Sequence, residues 1–181
     1  MNDRIYSGGA DRLRRLERIE RLEIDKVVEF CLTEKTLKTL LDIGTGSGLF
    51  AEAFYKKGII VSGVDLNAEL IEIAKQYLPK SEFKVGYAEE LPYENSSFDA
   101  SFFGLVFHEV ADFEKAMSEA FRVSRKYTFI LEWKYKAEDF GPPIEHRLRP
   151  AFVTELAKNT GYSNIYEYPL THLILYTFEK D

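Results

Sequence analysis

Between residues 40 and 48 the chain reads Leu40-Leu41-Asp42-Ile43-Gly44-Thr45-Gly46-Ser47-Gly48. Three glycines at alternate positions let the backbone turn sharply and approach a ligand with no Cβ in the way. An apolar run precedes them and a helical pattern follows, so the first amides of that helix point at the ligand. A second apolar run ends in Asp65, about 20 residues further on, where a carboxylate can accept hydrogen bonds from both hydroxyls of a ribose. These residues describe a site for a nucleotide-like molecule.

The spacing separates two such molecules. A dinucleotide loop has the pattern G-x-G-x-x-G. Here the third glycine falls one position early, and Leu49 stands where the dinucleotide loop has its last glycine. Asp42 lies two residues before the first glycine. An acid there repels a pyrophosphate and attracts a cationic amino-acid tail. The loop therefore favours S-adenosyl-L-methionine, and a dinucleotide-dependent oxidoreductase is the weaker reading.

With these residues in view, the chain resembles the class I S-adenosylmethionine-dependent methyltransferases, in the small-molecule group with the ubiquinone and menaquinone ring methylases. The resemblance runs over about residues 38–178. It is carried by the segment 40–54, by Gly63-Val64-Asp65-Leu66-Asn67, by Gly86-Tyr87-Ala88-Glu89-Glu90-Leu91-Pro92-Tyr93 leading into Ser97-Phe98-Asp99, and by residues 103–112. It implies a Rossmann-like methyltransferase fold, S-adenosyl-L-methionine as cofactor and S-adenosyl-L-homocysteine as product. Its implied cofactor contacts are Asp42, Gly44, Thr45, Gly46, Ser47, Gly48, Asp65, Leu66, Asn67, Ala88, Glu89, Phe103 and Gly104. Two positions depart from the family pattern. Tyr87 replaces an acid that reads the adenine amine, which leaves that contact to Ala88 and Glu89. Ser124-Arg125-Lys126-Tyr127 replaces a glycine-rich turn before the fifth strand.

Methyl transfer from a sulfonium is a direct displacement, so alignment dominates. A base is needed only when the nucleophile loses a proton. His108 is the first candidate, because imidazole titrates near neutrality; a packing or capping histidine is the competing reading. His146 is the second candidate. Glu109 could orient His108, bind a cationic acceptor or simply face solvent. The segment Gly141-Pro142-Pro143-Ile144-Glu145-His146-Arg147-Leu148 carries two φ-restricting prolines followed by charges. Trp133, Lys134, His146 and Arg147 could wall an acceptor pocket and hold an anion, or the loop could be clamped by Glu145–Arg147 or Lys134–Glu145. Tyr6, Phe102, Phe103, Phe107 and Trp133 could frame a flat acceptor, although uncharged strands of parallel sheets bury most such aromatics.

Positioning these groups requires alternating strands and helices. Apolar runs predict strands at 39–43, 59–64, 82–85, 100–105, 128–133, 164–168 and 172–178. Helical spacing predicts helices at 49–57, 68–78, 113–123 and 150–159. The fold expected is α/β, a doubly wound and mainly parallel seven-stranded sheet with helices on both faces. The short connection near residues 169–171 requires the last strand to be antiparallel. Residues 1–37 form an N-terminal helical extension on a single domain, 38–181. Residues 11–32 have helical spacing, and their balanced charges suggest a salt-bridged solvent face.

Composition narrows the classes. The 181 residues suffice for a sizeable core. The net charge of −6 argues against nucleic acid as main partner. The single cysteine, Cys31, allows neither a disulfide framework nor a Cys-based zinc site, so no metal is expected. The charged first 21 residues lack a signal core, and no uncharged run approaches a membrane span; a cytoplasmic protein is expected. There is no Asn/Asp-Pro-Pro-Tyr motif, no cysteine pair and no basic, aromatic-interleaved stripe. These absences leave a small-molecule acceptor with an O, N, S or activated C nucleophile. A non-catalytic cofactor-binding sensor or partner subunit is the alternative, supported by Tyr87 and Glu109. The aromatic edge near residues 172–178 offers a surface for a homodimer.

Overall fold

A computed structural model describes residues 13–181; Tyr6 lies outside the described residues. Two short helices come first, α1 (Leu16–Arg21) and α2 (Ile24–Leu32). Then follow β1 (Thr39–Ile43), α3 (Leu49–Lys56), β2 (Ile60–Asp65), α4 (Ala68–Tyr77), β3 (Glu82–Val85) and β4 (Phe98–Gly104). The rest is α5 (Phe113–Val123), β5 (Ser124–Trp133), α6 (Pro150–Thr160), β6 (Asn164–Pro169) and β7 (Leu173–Glu179). Short 3₁₀ turns sit at Phe107–Glu109 and Ile144–His146. No described helix is long and apolar enough to cross a membrane.

The sheet order is β3-β2-β1-β4-β5-β7-β6. Every pairing is parallel except the two made by β7, which runs antiparallel to β5 and β6. Strand order reverses between β1 and β4. A crevice therefore opens beyond their C-terminal ends, where doubly wound folds take their ligands.

The period-2 alternation of strand side chains builds two cores. Leu40, Phe102 and Phe129 face α2, α3 and α4, packing with Val28, Phe54 and Ala74. Their neighbours Leu41, Phe103 and Ile130 face α5 and α6, packing with Met117 and Leu156. The central strands are buried on both faces, which is why they read as continuous apolar runs.

Four expectations are corrected. The pattern over 11–32 is not one helix: the chain breaks at Leu22 and Glu23, with Glu23 in the left-handed region at φ 47°. Glu23 accepts the Thr171 amide at 2.7 Å, which ties this break to the β6–β7 turn. The solvent face is only partial: Arg15, Glu17, Glu20, Asp25, Lys26 and Glu29 are exposed, but Arg14, Arg18 and Arg21 are half-buried. Arg14 pairs with Glu52 of α3 at 2.7 Å and donates to the Ser47 carbonyl at 2.8 Å, whereas the apolar Leu16 is 77% exposed. The segment 124–127 is no turn but the start of β5, offset by a register shift between Phe98 and Ala100. Its Ser124 hydroxyl is buried and donates to Ser101. The antiparallel strand β7 is internal, so the exposed edge is β6.

Candidate active site

The crevice is a cavity of about 990 Å³. Its floor is the glycine loop. Gly44 and Gly46 adopt positive φ of 68° and 53°. At Gly44 a Cβ would lie 2.5 Å from a Val106 methyl, so only glycine lets the β4 loop close over β1. Gly44→Ala is expected to cost about 2–4 kcal/mol, combining a left-handed non-glycine residue with a clash. Urea unfolding checks this; adding Val106→Ala should restore only part of the steric cost, because the Val106 Cβ would still lie 2.8 Å from the new methyl.

Asp42 lines the cavity although it is 1% exposed. The Thr45 hydroxyl donates to its Oδ2 at 2.7 Å. Burial lifts its carboxyl to about 7, against the hydrogen bonds from Thr45 and the Ala51 amide. Asp65 ends β2. Its Oδ2 accepts the Gly46 amide at 2.7 Å and its Oδ1 the Asn67 amide at 2.8 Å. Burial raises its carboxyl above the usual range despite these bonds. Asn67 uses its side-chain oxygen to cap α4 through the Glu69 and Leu70 amides. Glu89 accepts the Ala111 and Asp112 amides at 2.8 and 3.3 Å, which fixes the loop after β3 against the loop after β4.

At the other end of the cavity lies a pair that sequence reasoning found only in half. Nδ1 of His108 sits 3.0 and 2.9 Å from the two carboxylate oxygens of Glu132. Glu132, the second-last residue of β5, also accepts the His108 amide at 3.0 Å and the Trp133 amide at 3.2 Å. Both side chains are buried. The carboxylate holds the proton on Nδ1 and leaves Nε2 as the free ring nitrogen. Nε2 lies 3.7 Å from Oε1 of Glu109. Burial alone would lower the His108 pKa, and Arg147 acts in the same direction. Glu132, through its charge and hydrogen bond, and Glu109 together outweigh them and raise it. Nearby Leu105 holds φ 63°, a left-handed conformation uncommon for a non-glycine residue, with its amide donating to the Leu131 carbonyl at 2.9 Å.

Of the cofactor contacts expected from the sequence, Asp42, Gly44, Thr45, Gly46, Ser47, Asp65, Leu66, Asn67, Ala88, Glu89 and Gly104 line this cavity. Gly48 and Phe103 do not. Gly48 packs α3 against α4, with a hypothetical Cβ 3.1 Å from that of Ala74. Phe103 is fully buried on the opposite sheet face, in edge contact with Phe107.

Of the acceptor-side residues, His108, Glu109, Trp133 and His146 line the cavity. Phe107 is core. Arg147 and Lys134 are structural. The Arg147 side chain is 0% exposed. It donates to the carbonyls of Pro142, Lys134, Lys136 and Phe140 and pairs with Glu138. The clamping acid is thus Glu138, not Glu145. Lys134 Nζ donates to the carbonyls of Leu170 and Thr171. This clamp seats Gly141 against the Trp133 ring, where an added Cβ would lie 3.0 Å from the indole.

The donor set fits S-adenosylmethionine. A buried acid, Asp42, stands beside the loop for an ammonium, and a second, Asp65, stands at the end of β2 for a ribose. The Ser47 hydroxyl is buried in the loop wall and has no hydrogen-bond partner among the described residues, which leaves a polar atom for a ligand to satisfy.

The sheet order and the site at its reversal define a doubly wound domain with an S-adenosylmethionine-type cavity. Residues 41–131, half of the chain, match the methyltransferase domain family, and the chain belongs to that family. It is 33% identical over 103 residues to demethylmenaquinone methyltransferase of Thermotoga maritima, covering 56% of this chain and 44% of that protein. It is 40% identical over 62 residues to ubiquinone biosynthesis O-methyltransferase of Coxiella burnetii, covering 34% and 26%. The chain spans less than half the length of these curated relatives. The fold matches a crystallised SAM-dependent methyltransferase from Aquifex aeolicus with a TM-score of 0.76, at 23% identity, covering 97% of this chain and 100% of that one.

Proposed function

We propose that this protein transfers a methyl group from S-adenosyl-L-methionine to a small-molecule acceptor whose nucleophile carries a proton. The observation that carries this reading is that Asp42, Asp65 and His108, the last backed by Glu132, line one cavity. When bound, the cofactor supplies an electrophilic sulfonium methyl. Asp42 would hold its ammonium, Asp65 its ribose hydroxyls and Ser47 a further polar atom. Gly44 and Gly46 let the backbone come close. His108 receives at Nε2 the proton that the acceptor gives up as its nucleophile takes the methyl. Glu132 keeps the imidazole in the tautomer and orientation this requires. The relatives named as quinone-pathway methylases support a small-molecule acceptor.

The test is an acceptor panel of phenols, thiols and amines incubated with S-adenosylmethionine, with S-adenosylhomocysteine formation read by mass spectrometry. Turnover with a protic acceptor is expected. Tight cofactor binding with no turnover on any acceptor would assign the protein to the non-catalytic alternative.

Asp42 adds a pH signature. In the free protein its carboxyl keeps a proton up to about pH 7. An ammonium beside it favours the carboxylate. Binding S-adenosylhomocysteine should therefore release close to one proton below about pH 6 and almost none above about pH 8. Calorimetry in buffers of different ionisation enthalpy measures this. The same sign makes Asp42 a cost to the unliganded fold, because the stability available below the usual carboxylate value is lost as pH rises through about 7.

A further inference from the structure

Residues 13–21 lie across the cavity from one end to the other. Leu13 meets the glycine loop, 3.3 Å from where a Gly46 Cβ would stand, and Arg14 donates to the Ser47 carbonyl. The other end of the segment places the Arg21 guanidinium 3.9 Å above the Phe140 ring. Phe140 packs on Trp133 with ring centres 5.9 Å apart, and Trp133 follows Glu132 in β5. Trp133 ends β5 and lines the cavity together with His108 and His146, so Arg21 stands over the C-terminal end of β5.

Arg21 lines the cavity, and among the described residues it makes neither an ion pair nor a hydrogen bond. Other arginines near the site are committed. Arg14 is paired with Glu52, and Arg147 is consumed by carbonyls and Glu138. Stacking on Phe140 fixes the plane of the Arg21 guanidinium and leaves its N–H edge for a planar anion. Arg18, one turn earlier on the same helix face, lines the cavity as well. Asp42 and Asp65 stand at the cofactor end, while at the acceptor end Arg21 shares the cavity wall with His108, His146 and Glu109.

We propose that the methyl acceptor is an anion, a carboxylate or phosphate, whose charged group is held by Arg21. This rests on the methyl-transfer reading above. An Arg–carboxylate or Arg–phosphate fork is among the strong hydrogen-bonded contacts, and it fixes orientation as well as affinity. The charge would therefore aim the acceptor's nucleophile toward His108.

The test uses the full chain loaded with S-adenosylhomocysteine and titrated with benzoate, phenyl phosphate, benzyl alcohol and benzylamine. One or both anions should bind about tenfold or more tighter than the alcohol and the amine. Arg21→Met should abolish that preference, and Arg21→Lys should keep part of it. S-adenosylhomocysteine affinity, unchanged in each variant, reports an intact fold. Equal binding of anion and alcohol, or an anion preference that survives Arg21→Met, overturns the proposal. Failure of the wild-type protein to bind S-adenosylhomocysteine overturns instead the reading beneath it.

Discussion

Asp65→Ala is expected to weaken S-adenosylhomocysteine binding by about 10²–10⁴-fold. Two charge-assisted hydrogen bonds from a ribose, each worth about 1.5–3 kcal/mol, set this range. The carboxylate also fixes the loop that forms the cofactor floor, through the Gly46 amide, and the start of α4, through the Asn67 amide. Asp65→Ala also removes the acceptor of both amides, so the unliganded melt should fall by a few degrees. Asp65→Asn, whose side-chain oxygen can still accept one of them, is the control: its melt should stay nearer wild type while calorimetric affinity still falls. An unchanged affinity would remove Asp65 from the cofactor site.

The second large effect falls on turnover. His108→Gln should lower kcat by about 10²–10⁴-fold, the range for a positioned general base. Glu132→Gln is the sharper variant. It is nearly isosteric, and its amide oxygen can still accept from Nδ1, but it removes the charge that raises the His108 pKa. The protonated imidazole cannot accept a proton, so the wild-type rate should fall as pH drops through a value above the ordinary histidine range. In Glu132→Gln burial dominates, which lowers the His108 pKa. The acid limb should then move to lower pH while kcat also falls. Cofactor affinity should not change in either variant. A pH profile left in place by Glu132→Gln would reduce Glu132 to a packing role.

The cofactor end was legible because its signals are local. The glycine loop, the acid before it and the acid ending the next strand lie within 24 residues of one another. All three belong to one strand-helix-strand unit, β1-α3-β2. The strand runs were equally direct, since burial on both faces writes itself as continuous apolar sequence. Gly48 was misread because a glycine serving helix packing and one serving a ligand look the same in sequence. Phe103 was misread because the two sheet faces are separated only by parity. Asn67 carries an ordinary helix cap as well as a place in the cavity wall.

The acceptor end depends on contacts far apart in the chain. The crevice rule brings Glu132 near the reactive methyl, but inside the run Phe129-Ile130-Leu131-Glu132-Trp133 its pairing with His108 was overlooked. A lone acid in an otherwise apolar buried strand demands a partner, and that signal could have directed the search to His108. The Arg147 clamp and the position of Arg21 offered no such signal. The first depends on carbonyls that any residue could supply, and the second on a helix break at Glu23 within a pattern that reads as continuous.

This cavity takes S-adenosylmethionine. Calorimetric titration of the wild-type protein with S-adenosylhomocysteine and, separately, with NADH tests it most directly. One-to-one binding of S-adenosylhomocysteine with no heat from NADH is the result predicted. Binding of NADH without binding of S-adenosylhomocysteine would contradict it.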